Sequence, residues 1–183
     1  MSKPSQMIAL VEDERHEMLL RRFLTRCGME RHQVRFERSP SGEGSGERWV
    51  RTRFVREVNA YRSRRAKAAT ALIVMIDADT HTSQKRLQHL SQTLREARIQ
   101  PIQSHERIAQ LTPRRNVETW ILCLNRHGVD ELTDYKKTRD DWNEMISPAA
   151  EALFQWTRPG VTPPSYCVNS LEGGVRELNR LAV

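Results

Sequence analysis

Apolar positions along the chain follow two alternating rhythms. Met7 to Val11 is a continuous apolar run, the pattern of a short strand covered on both faces. Leu20, Phe23, Leu24 and Cys27 then recur at i, i+3, i+4 and i+7, which predicts a helix closed by Gly28 as its C-cap. "HQVRFE" alternates and reads as a second strand, followed by "RSPSGEGSGER", a loop punctuated by Gly42, Gly44 and Gly46. From Arg48 to about Lys67 a helix is expected, with Val50, Phe54, Val58 and Tyr61 on one face. "ATALIVMI", ending at Ile76, is the most apolar stretch and the clearest strand. Leu87, Leu90, Leu94 and Ala97 mark the next helix, and "IQPIQ" reads as a fourth strand that Pro101 pushes toward an edge.

In "PRRNVETWILCLNRHG" Pro113 stands ahead of a helix that turns Val117, Trp120, Ile121 and Leu124 inward and stops at Gly128. "DELTDYKKTRDDWNEM" is polar and fits a lid or surface helix. The last helix is expected over Ser170 to Leu181, with Asn169 and Glu172 spaced as a capping box. The predicted fold class is therefore α/β. It has an open, mainly parallel four-stranded sheet with helices on both faces, in one domain over residues 1–183 with a helical C-terminal extension from about residue 129.

In such a sheet, sites form beyond the carboxyl ends of the strands. Two of the apolar runs end there on acids: the first on Glu12-Asp13-Glu14, the third on Asp77-Ala78-Asp79. At a strand end, residues i and i+2 project to one side, so Asp77 and Asp79 are expected to point together. Two carboxylates so close repel unless a cation lies between them, and hard Mg²⁺ (or Mn²⁺) is suited to oxygen ligands. A single acid at any of these positions is also explained by the favourable field at a helix start.

Charge adds a partner class. Of 30 basic residues only five are lysines (Lys3, Lys67, Lys85, Lys136, Lys137), and 25 are arginines, with a net charge of +7 and a pI of about 9.8. Guanidinium is the planar partner of phosphate, which favours nucleic acid, although a solvated, ion-paired surface has the same composition. Arg48, Arg51, Arg53 and Arg56 on the second helix are candidate phosphate contacts. So are the loop residues Ser41 and Ser45, and the competing reading pairs the arginines with Glu47 and Glu57. Cys27, Cys123 and Cys167 lack disulfide or zinc spacing; with no apolar run long enough to span a bilayer and no leader pattern, a cytoplasmic setting is expected.

"IALVEDE" followed by a helix, and "LIVMIDAD" after an intervening β-α unit, resemble the two halves of the Toprim domain, found in topoisomerases, primases and nucleases. The resemblance spans roughly Met7 to Glu118. It implies a metal-dependent phosphodiester hydrolase acting on DNA or RNA. Glu12 would be the proton-transfer group or a ligand, and Asp77 and Asp79 would hold Mg²⁺. Within the nuclease-like branch, "RRNVETWIL" nominates Arg115 and Glu118. The same resemblance implies an ATPase partner and a part in phage defence. Where many members have glycine after the first glutamate this chain has Asp13, and four residues beyond Glu12, where the branch often carries an acid, it has His16. His16 is thus either a metal ligand or an ordinary helix-surface residue.

Two alternatives accompany this reading. One is a non-catalytic nucleic-acid- or ATPase-binding subunit of the same fold. The other is a receiver-like signalling domain, against which the 65-residue separation of Glu12 from Asp77 and the basic charge both count.

Overall fold

The computed structural model describes residues 3–40, 46–65 and 68–181, so Ser41, Gly42, Gly44, Ser45 and Lys67 lie outside the described residues. Four parallel strands, β1 (Gln6–Val11), β2 (Val34–Arg38), β3 (Thr70–Met75) and β4 (Ile108–Leu111), form one sheet in the order β2-β1-β3-β4. The helices are α1 (Glu14–Arg26), α2 (Gly46–Arg64), α3 (Ser83–Glu96), α4 (Val117–Leu124), α5 (Trp142–Trp156) and α6 (Asn169–Asn179). Among the described residues no helix is long and apolar enough to cross a membrane.

The alternation of side chains along the central strands builds two cores. Met7, Val11, Ile73, Met75 and Leu111 face one side and pack with Leu20, Phe23, Trp120, Ile121, Trp142 and Ile146 of α1, α4 and α5. Ile8, Leu10, Leu72, Val74 and Ile76 face the other, against Val50, Phe54 and Val58 of α2 and Leu90 and Leu94 of α3. Each such side chain, removed from water, stabilises the fold by about 1.5–3 kcal/mol. The region beyond residue 129 shares this core, since Trp142, Leu153, Leu171 and Leu178 belong to the first cluster.

Four local expectations are corrected. "IQPIQ" is not a strand; β4 is Ile108–Leu111, and the carbonyls of Gln100 and Pro101 accept from the Arg62 guanidinium instead of a sheet neighbour. Helix α4 stops at Leu124, not Gly128. Arg126 takes the left-handed turn (φ 62°), the His127 N–H closes on the Leu122 carbonyl, and the Asn125 amide bonds the Ile121 and Met145 carbonyls. The polar 130–145 stretch is not a surface helix: residues 129–141 are irregular, and Trp142 opens the buried face of α5. Finally, Asn169 is the first residue of α6 and caps nothing; the Ser170 N–H is met by the Glu131 carboxylate from the 129–141 segment.

Candidate active site

The chain runs from β1 outward to β2 and returns across β1 to β3, so the direction of winding reverses between β1 and β3. The carboxyl ends of those two strands therefore open a crevice. Glu12 leaves β1 there and its Oε2 accepts the backbone N–H of Asp77, the second residue past β3, at 3.1 Å. The two acids stand on the same rim.

Asp77 is fully buried and is held from two directions. Asp13 caps α1 by accepting the His16 N–H at 3.0 Å, and this first turn aims the His16 ring inward, where Nε2 lies 2.9 Å from Asp77 Oδ1. His16 is wholly buried, which overturns its reading as a helix-surface residue. On the other side Lys136 Nζ is 3.3 Å from Asp77 Oδ2, an ion pair without hydrogen-bond alignment.

Glu118 joins from α4. Beyond the last paired residues, Ile76 N–H still bonds the Leu111 carbonyl and Ala78 N–H the Pro113 carbonyl. Asp79 then bridges to Arg115, both with left-handed backbone (φ 52° and 69°). That splice sets α4 so that the fully buried Glu118 pairs with Arg15 of α1, whose guanidinium also covers the Trp142 ring. Strained non-glycine backbone persists where surrounding structure over-determines it, and here it orients an acid.

The electrostatics follow from burial. Desolvation, then the adjacent Asp77 carboxylate, push Glu12 up to about 7, against His16 and the Asp77 N–H, which lower it. Burial also raises Glu118, with Asp77 adding to it and Arg15 opposing. For His16 burial acts downward but is outweighed by Asp77 and Asp13, which lift the imidazolium to about 9. Lys136 is likewise raised, the Asp77 and Glu118 carboxylates outweighing its burial.

Of the acids expected to act together, Asp77 is the common neighbour: Glu12 accepts its backbone N–H, and its charge raises Glu118. Asp79 turns its carboxylate to Arg86 at 3.1 Å, because β3 ends at Met75 and Asp79 takes left-handed backbone, yet its charge still acts on Glu12 and Lys136. Arg86, almost fully buried, also bonds Glu47 of α2 at 2.6 Å. Of the expected phosphate contacts, Arg51 is committed to Glu47 and Thr93, Arg53 to Glu37 and Glu57, and Arg115 reaches Asp134 at 3.5 Å. Arg48 and Arg56 are exposed on α2.

Sequence reading missed Lys136, Arg15 and Arg86. None of the three carried a distinguishing signal; Lys136 was one of five lysines beside 25 arginines.

Among the described residues no three His, Cys, Asp or Glu side chains stand together in metal-holding geometry. The chemistry of the donors nonetheless suits a hard cation. Glu118 Oε2 is buried without a hydrogen-bond donor, Asp77 Oδ2 is faced by the Lys136 ammonium, and burial with the Asp77 charge raises Glu12 to about 7. No protein-family model, no curated protein and no solved structure matches the chain.

Proposed function

We propose that the chain is a divalent-metal-dependent hydrolase of phosphodiester bonds in DNA or RNA, with its centre at the β1–β3 crevice. The observation that carries this reading is the chain of contacts centred on buried Asp77: Glu12 accepts its N–H, Lys136 pairs with its carboxylate, and Glu118 lies near enough for the Asp77 charge to raise it. Asp77 and Glu118 are the residues that would hold Mg²⁺ or Mn²⁺, since Glu118 Oε2 is buried without a donor and Asp77 Oδ2 is faced by the Lys136 ammonium at 3.3 Å, which an ion would displace. The ion, when bound, would polarise a phosphoryl oxygen and neutralise charge. Glu12, balanced near neutral pH, takes the proton of the attacking water. Lys136 steadies the negative charge that grows on phosphate, and His16 positions Asp77 without touching substrate. The basic surface supplies long-range attraction for a polyanion. The sequence holds no Walker A loop, so an ATP-driven step would fall to a partner ATPase.

A second reading has its own support. His16 and Lys136 already neutralise Asp77, and Arg15 neutralises Glu118, as in a buried ionic network that fixes structure in a non-catalytic binding subunit. Asp77→Asn separates the two, because it keeps the size and the His16 hydrogen bond while removing the charge. With Mg²⁺ or Mn²⁺ and labelled DNA and RNA, the first reading expects metal-dependent cleavage by the wild type and its loss in Asp77→Asn with nucleic-acid binding retained. Cleavage unchanged in Asp77→Asn would refute the site, and a wild type that binds nucleic acid but neither cleaves it nor takes up Mn²⁺ would establish the second.

A further inference from the structure

The two edges of the sheet are treated differently. At β4 the outward N–H of Gln110 is closed by the Glu177 carboxylate of α6 at 3.0 Å. At β2 nothing equivalent is found among the described residues. The Ser39 N–H bonds the Val11 carbonyl, so odd-numbered residues of this strand turn their backbone toward β1 and even-numbered ones turn outward. The Val34 N–H is used by the Arg31 carbonyl. That leaves the Val34 carbonyl, both groups of Phe36 and the Arg38 N–H facing away from the sheet, with no backbone partner among the described residues.

The residues of β2 read Val-Arg-Phe-Glu-Arg. Laid antiparallel on a second copy about Phe36, this strand places Arg35 opposite Glu37 twice, by symmetry, and sets Phe36 beside its own image. Opposite charges directly across an antiparallel pair are favourable, and like charges are not. Four backbone hydrogen bonds would form: two between the Phe36 residues, and one from each Arg38 N–H to the opposing Val34 carbonyl. Phe36 is half-buried beneath the Arg21 guanidinium, 4.3 Å from its ring centre, at the rim of a cavity of about 410 Å³ also lined by Leu24, Met29 and Val34. A second Phe36 on the same face would extend that apolar cover.

We propose that β2 is the surface through which two copies of this chain associate, strand to strand and antiparallel about Phe36, making one continuous eight-stranded sheet. A twofold interface of this kind is self-complementary and closes at two. A single strand pair is smaller than a standard interface, so the dissociation constant is expected in the range of about 1–100 µM.

The test is sedimentation equilibrium of the full chain at increasing concentration, with two substitutions at one position. The wild type should move from 21.3 kDa toward twice that mass. Arg38→Pro removes an outward N–H that β1 does not use, and edge strands tolerate proline there, so it should weaken association about tenfold or more. Arg38→Ala keeps the N–H and should stay within about threefold of wild type. Phe36→Cys, read by oxidative cross-linking, supplies an independent measure, since directly opposed residues of an antiparallel pair lie within disulfide reach. A covalent dimer is expected. A wild type that stays monomeric through the upper end of that range overturns the proposal. So does a dimer indifferent to Arg38→Pro, or a Phe36→Cys protein that dimerises without cross-linking, either of which would put the second copy elsewhere and leave the β2 edge to some other strand.

Discussion

Glu12→Gln is expected to make the protein more stable at alkaline pH, and the size of the gain follows from the site. Glu12 titrates at about 7 in the fold against an ordinary 4.5, because burial and Asp77 disfavour its charge. A carboxylate raised in this way favours the folded state most when protonated. Its contribution is complete below pH 4.5 and is lost as the pH rises to 7. A displacement from 4.5 to about 7, at 1.36 kcal/mol per unit, corresponds to roughly 3 kcal/mol; part is screened by the residue's partial exposure, leaving about 2 kcal/mol. Glutamine keeps an oxygen for the Asp77 N–H and never charges. At pH 8 it should therefore raise the thermal midpoint by about 4–8 °C for a chain of this size, while near pH 4.5 the two proteins should melt alike. Calorimetric scans of wild type and Glu12→Gln at both pH values decide the matter. Equal melting at pH 8, or a loss of stability there, would refute the assignment of Glu12 as an acid held out of its preferred charge state.

His16→Leu should destabilise the fold by about 3–5 kcal/mol, since it leaves Asp77 buried with one partner fewer. Because His16 is raised to about 9, its contribution is complete below pH 6.5 and fades as the pH climbs through 9; chemical denaturation across that window should show the wild-type decline flattened in the variant. Lys136→Met should abolish metal-dependent cleavage while leaving the far-ultraviolet circular dichroism unchanged, as the residue lies in irregular backbone; retained cleavage would remove Lys136 from the site. Gly174→Ala should cost about 1–3 kcal/mol in urea denaturation, because a β-carbon there would come within 2.3 Å of the Trp120 ring and force α6 away from α4.

The parts of the site that sequence reveals are those governed by local pattern. Glu12 and Asp77 were legible because each follows a run apolar on both faces, and a parallel sheet sends such ends to one rim. The strand order that makes β1 and β3 neighbours was not legible residue by residue, yet it decides that these two acids meet. Asp79 misled because the i, i+2 argument holds only while backbone stays extended, and here the strand has ended. Lys136 was hidden for a different reason. Its segment has no periodic pattern; it is placed by tertiary hydrogen bonds from Asp134 to the Asn116 amide and from Glu131 to the start of α6, with a local turn in which Asp130 accepts the N–H groups of Leu132 and Thr133. For the arginines on α2 the sequence offered two readings. Sequence left them between phosphate contact and pairing with Glu47 and Glu57; Arg51 and Arg53 make those pairs within α2, while Arg53 to Glu37 ties α2 to β2, and Arg62 and Arg65 to Glu106 tie the end of α2 to the turn before β4. The strand "IQPIQ" failed similarly, its carbonyls being claimed by Arg62 from a helix distant in sequence.

The proposed chemistry requires the acids at the β1–β3 crevice to take up a divalent cation, and calorimetric titration of Mn²⁺ into the wild type and Asp77→Asn reads this without reference to any substrate. Saturable binding by the wild type, lost in Asp77→Asn and accompanied by proton release as Glu12 ionises, is the predicted result. Binding of equal strength in both proteins, or none in either, would contradict it.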